Sequence, residues 1–259
     1  MRRLFLAIVA LGIVALAAGP SAQRGAESSS MQLVGSNDLQ GRSAYQPVIH
    51  KQGNRWFAYV GHHGGTTMNS LTGKREANGT SIVDVTDPKQ PKYIAHLPGE
   101  AAGQGEAGGA QMVRVCNGSD LPKADKSKVY LLRSFGTSGH EVWDVTDPAK
   151  PNRLTVVVSG LRDTHKNWWE CDTGIAYLVS GPPDWRARRM TQIYDLSDPA
   201  KPVFIRNFGL AGATTWIVGF GARRTCTAPF RPDRKETAST SATEPAPTGF
   251  CRSSIERSC

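Results

Sequence analysis

Apolar and polar positions along this chain alternate in short runs, and three of the runs repeat. The segments SIVDVTDPKQP (81–91), EVWDVTDPAKP (141–151) and QIYDLSDPAKP (192–202) align without gaps. A motif returning every 50 to 60 residues or so marks a repeat architecture. Ile82, Val83 and Val85 and their counterparts are β-branched or aromatic residues of a mostly buried strand, which Thr/Ser-Asp-Pro closes. Asp87, Asp147 and Asp198 are placed to accept from backbone N–H groups two residues on, and the following proline presets φ for the turn. Asp84, Asp144 and Asp195 recur in every copy, which assigns them to the turn and to bonds between repeats.

A second proline opens an outgoing strand in each copy: 93–97, 154–158 and 203–208. Two strands precede each motif. They are 48–50 and 56–60 in the first copy, 111–116 and 129–133 in the second, and 168–171 and 175–179 in the third. Four antiparallel strands per unit, with Gly-rich links and no helical periodicity, predict an all-β chain of β-propeller blades. A β-sandwich is the rival, but its strands have no need of one turn sequence three times. The expected blades span about 31–99, 100–160 and 161–210. Three blades are fewer than a closed propeller uses, so the expected propeller is incomplete.

The repeat resembles that of the bacterial LVIVD-repeat proteins, over roughly Gln32 to Leu210. The resemblance implies blades and export, and it carries no catalytic residues to transfer.

The N-terminus agrees with export. Arg2 and Arg3 precede the apolar stretch Leu4 to Ala18, and small residues up to Ala22 offer a cleavage site, so residues 1–22 read as a signal peptide. As a helix the stretch rises only about 22 Å, short of a bilayer's hydrocarbon layer. No second run of spanning length follows, so no membrane span is expected after cleavage, and the mature chain is expected in the periplasm or outside the cell. Disulfides are permitted there. Of the five cysteines, Cys226, Cys251 and Cys259 lie near the C-terminus and none sits in a zinc spacing. Cys116 and Cys171 end equivalent strands of adjacent repeats, which suits either a disulfide or two buried small hydrophobes.

The net charge of +9 is mostly terminal: two basic residues lie in the leader and seven, against four acids, follow Gly221. No basic surface for nucleic acid is expected. After Gly221 the composition turns to Arg, Ser, Thr, Pro and Cys, and residues 211–259 read as a disordered tail. Codons compatible with Arg224 to Cys259, translated from their third bases, allow a string containing KGNRVYFGYG and VLQIVD. The first parallels QGNRWFAYVG at 52–61, and the second is the repeat motif itself. The tail therefore reads as a fourth blade translated out of frame, after a slip between about Gly212 and Arg224.

Links from second to third strands and between blades emerge at one end of a propeller, where functional groups gather. That end is expected to collect His62, His63, His140 and His165, with Asp184, Trp185 and Arg186. Imidazoles converging there suit a metal such as Zn, Cu or Fe, or general-base chemistry, but no metal-binding spacing accompanies them. Trp168 and Trp169 point to opposite faces of one strand, so at least one belongs to the core. Two functions follow: an exported scaffold presenting a loop face to a protein or small ligand, or a His-ligated oxidoreductase or hydrolase at the channel mouth. The sequence names no cofactor and no catalytic residue.

Overall fold

The computed structural model describes residues 30–101, 108–183 and 185–210, so the leader, the tail and Asp184 lie outside the described residues. The chain divides into two units. Of the first, Met1–Val34, the described residues carry no strand, and Met31, Leu33 and Val34 are exposed. The second, Gly35–Cys259, holds the repeats.

The described fold is all-β: three four-stranded antiparallel sheets, each a blade of an incomplete propeller. Blade 1 is built from β1 (Tyr45–Gln52), β2 (Arg55–Gly61), β5 (Thr80–Asp84) and β6 (Lys92–Leu97). A hairpin of β3 (Thr66–Asn69) and β4 (Lys74–Ala77) is inserted between its second and third strands. Blade 2 is β7 (Val113–Asn117), β8 (Val129–Phe135), β9 (Gly139–Asp144) and β10 (Asn152–Val158). Blade 3 is β11 (Asn167–Trp169), β12 (Ile175–Ser180), β13 (Met190–Asp195) and β14 (Val203–Phe208). The first strands β1, β7 and β11 lie side by side, as sheets arrayed about an axis require.

The repeat motif makes the same structure each time. Asp84, Asp144 and Asp195 stand opposite Phe57, Tyr130 and Ile175 on the second strands. Their carboxylates accept from the N–H groups of Thr86, Thr146 and Ser197 at 2.9, 3.0 and 2.8 Å. Three residues on, Asp87, Asp147 and Asp198 accept from Lys89, Ala149 and Ala200 at 3.0, 3.0 and 3.1 Å. Two side-chain-capped turns in tandem thus satisfy the donors that a chain reversal otherwise leaves bare. The outgoing strand bulges at a matching position in every blade, leaving Ile94, Leu154 and Ile205 as the extra residue, and β10 bulges a second time at Val157. A bulge there adds twist, which lets each blade lean on the next.

A cation faces the first aspartate in all three turns. Arg55 lies 2.6 Å from Asp84, and Lys128 lies 2.9 Å from Asp144. Blade 3 has Thr173 at this position, and Lys123 reaches across from blade 2 to stand 3.9 Å from Asp195. Burial acts to raise the Asp84 pKa, but the hydrogen bonds from Arg55 and Thr86 outweigh it and hold it at about 2.

Apolar side chains pack between blades. Phe57, Tyr59, Ile82 and Leu97 of blade 1 meet Val113, Leu131 and Val145 of blade 2. Tyr130, Leu132 and Val142 of blade 2 meet Trp169, Leu178 and Leu196 of blade 3. At about 25 cal/mol per Å² of apolar surface, these two layers are the main cohesion of the fold. Cys116 and Cys171 are joined by a disulfide that ties the first strands of blades 2 and 3. Trp169 is core, and Trp168 lies under the Arg114 guanidinium.

Candidate functional site

The strands run further than the alternation of residues alone conveys, and this relocates most of the expected loop face. His140 lies inside β9 and His62 directly follows β2, and both rings are fully buried. His165 and Trp185 are buried as well, whereas His63 and Arg186 are half-buried. His140 faces the backbone of Val179 in blade 3. Arg162 donates to the carbonyls of Pro182, Pro183 and Trp185, and Arg188 grips Asp163 through two hydrogen bonds of 2.9 and 3.1 Å. These contacts fix the 181–189 link over the preceding one. Among the described residues, no three His, Cys, Asp or Glu side chains converge as metal ligands.

The polar groups that do converge sit on one face of blade 1. His62 Nδ1 donates to the Ser43 carbonyl, which leaves Nε2 as the acceptor for the Ser81 hydroxyl 2.6 Å away. The Tyr93 hydroxyl is 2.9 Å from Ser81 Oγ, and Arg42 donates to Tyr93 at 3.4 Å. His96 donates from Nε2 to the Ala77 carbonyl, and its ring centre lies 6.0 Å from that of His62. The segment 37–43 and the β3–β4 hairpin cover this network: Gln40 donates to Ser70 of the hairpin, and Arg42 to its Thr67 carbonyl. Burial pulls the pKa of His62 and of His96 down to about 4 and that of His140 to about 3, so all three are neutral at pH 7. A serine beside a neutral imidazole has the parts of a nucleophile and its base. Ser81 is fully buried, however, so this pair works as a clamp between chain segments.

The same position on the third strand is polar in each blade, and each blade uses it differently. Ser81 binds His62, Gln192 accepts from Ser180 at 2.9 Å, and Glu141 takes part in a buried ion pair. Arg133 donates to Glu141 Oε2 through Nε and a terminal nitrogen, the Trp143 indole donates to the same oxygen, and Arg153 donates to Oε1. Arg133 also donates to the carbonyls of Leu97 and Pro98 in blade 1, so the pair fastens one blade to its neighbour. The sequence alone distinguishes neither member, because charges within alternating strands read as solvent-facing. Their placement directly across β8 and β9 is the signal that identifies them.

The two ends of the blades differ. At one end the third-to-fourth links 85–91, 145–151 and 196–202 have one length and share the Thr/Ser-Asp-Pro turn and a closing proline. At the other, the second-to-third links 62–79, 136–138 and 181–189 share neither length nor sequence. The longest carries the β3–β4 hairpin, which exposes Met68 and Leu71 at 49% and 53% beside Lys74 and Arg75.

No protein-family model matches the chain, and no curated protein matches it. Among solved structures, an exo-β-1,3-galactanase of Phanerochaete chrysosporium is similar at 11% identity and a TM-score of 0.39, over 64% of this chain and 36% of that one. A family 117 glycoside hydrolase of the marine bacterium Zobellia galactanivorans is similar at 14% identity and 0.40, over 71% and 52%. A β-fructofuranosidase of Schwanniomyces occidentalis is similar at 12% and 0.40, over 64% and 34%. The chain thus spans between a third and about half of the length of these structures. Identities this low transfer no activity to it. Among the described residues no helix is long and apolar enough to cross a membrane.

Proposed function

We propose that the chain is an exported β-propeller scaffold of the LVIVD-repeat kind, which binds a protein or small ligand at the end where its links differ. The carrying observation is the contrast between the two ends. Turns built to one pattern are what a scaffold repeats, whereas links that diverge among otherwise matching blades are free to serve recognition. The exposed Met68 and Leu71, with cations beside them, favour a protein partner, since a protruding apolar tip suits an interface core. The disulfide and the leader support export. The metalloenzyme reading loses support because His62, His140 and His165 are buried and, among the described residues, no three His, Cys, Asp or Glu side chains are placed to hold a metal.

A photo-crosslinking amino acid in place of Met68, in the full chain within the exporting cell, tests the reading. One saturable adduct, lost when Leu71→Asp is added, supports it. No adduct above that of a control site in the 145–151 turn counts against it. Near-stoichiometric metal in the purified chain, lost on joint replacement of His140 and His165, would instead favour the enzyme.

A further inference from the structure

Each of the first two blades buries one face against the blade that follows, and the positions are the same in both. In blade 1 they are Phe57, Tyr59, Ile82 and the bulge residue Ile94; in blade 2, Tyr130, Leu132, Val142 and the bulge residue Leu154. The pairing register assigns the matching positions of blade 3 to Ile175, Tyr177, Ile193 and Ile205. All four are apolar or aromatic. Yet Ile175, Tyr177 and Ile193 are only half-buried, and Ile205 is 46% exposed with Val203 beside it at 56%. Blade 3 therefore repeats the sequence of an inter-blade face without the burial.

We propose that this face of blade 3 is an inter-blade surface that receives a fourth blade, the one spelled by the shifted frame of the codons for residues 224–259. Continuity with the two established interfaces carries the assignment. The bulge that turns Ile94 and Leu154 toward the next blade is present at Ile205, and the shifted frame supplies counterparts of the second and third strands, KGNRVYFGYG and VLQIVD. A second copy of the chain is the less suitable occupant. It would have to offer the receiving face of its own blade 1, and there Leu39 already packs on Ala58, Val60 and Val83. The inference is independent of the ligand-binding reading, which concerns the far end of the links.

The test compares the chain as it stands with a frame-restored chain, each with and without Ile205→Asp. In the restored chain the substitution is expected to lower the urea midpoint as much as Leu154→Asp does. In the chain as it stands the midpoint stays within error. Should the restored variant fail to fold, amide exchange replaces it: slowing of the Ile193 and Ile205 N–H groups by tenfold or more on restoration supports the proposal. Equal effects of Ile205→Asp in both chains would overturn it. So would exchange unchanged by restoration, a dimer of the present chain that Ile205→Asp dissociates, or gene codons that do not spell VLQIVD in the shifted frame.

Discussion

Arg133 and Glu141 face each other across β8 and β9 in a salt bridge of 3.0 Å, with both side chains almost wholly shielded from water. Removing one partner strands a buried charge, which costs about 3–5 kcal/mol, whereas replacing both by apolar residues of similar volume is often neutral. Glu141→Gln is therefore expected to destabilise the chain by that amount in urea unfolding. Arg133→Met with Glu141→Leu should recover most of the loss, less what the bonds to Leu97 and Pro98 contribute.

Acid sensitivity follows from the buried imidazoles. His62 and His96 titrate near 4 when folded and His140 near 3, against an ordinary value near 6.5 when unfolded. Between those values the unfolded chain binds more protons, so stability rises with pH through that window and levels off above about 6.5. Acidification from pH 7 to 4.5 should lower the urea midpoint progressively. His140→Leu should make the dependence shallower by up to about 1.4 kcal/mol per pH unit, one proton's share.

The disulfide closes a loop with a sequence separation of 55. A cross-link over that length is expected to add about 4 kcal/mol. Cys116→Ser with Cys171→Ser should reduce stability by roughly this amount, and reductant should shift the wild-type midpoint and leave that of the double variant in place.

The aspartate turns predict matched effects in different blades. Asp84→Ala and Asp144→Ala each remove a cap on a backbone N–H and an acceptor for a nearby cation, at a cost of about 1–2 kcal/mol. Lys123→Ala, at 3.9 Å from Asp195 and mostly exposed, should cost less than about 0.5 kcal/mol. Thermal unfolding of the three variants side by side checks the order.

The blades were legible in the sequence because one motif states its structure three times, in a buried strand, two capping aspartates and a proline. The β3–β4 hairpin was not. Its residues TTMN and KREA carry no apolar alternation, and the turn rests on Gly73 at φ 67°, a conformation that glycine adopts without strain. The burial of His62 and His140 was hidden for a related reason. Glycines beside His62 and His140 suggested links, but backbone pairing continues through Gly61 and Gly139 and carries both imidazoles into the packed layer. The Ser81–Tyr93–Arg42 network joins residues far apart in the chain, and no local pattern announces it.

Amide hydrogen exchange at Thr86, Thr146 and Ser197 tests the repeated blade most directly. Each of these N–H groups donates to the aspartate two residues earlier, in a turn that the neighbouring strands hold. All three should exchange slowly, and should speed up only in the blade whose aspartate is replaced by alanine. Exchange at unprotected rates in any one of them, or a change in all three after a single replacement, would contradict blades built independently to one plan.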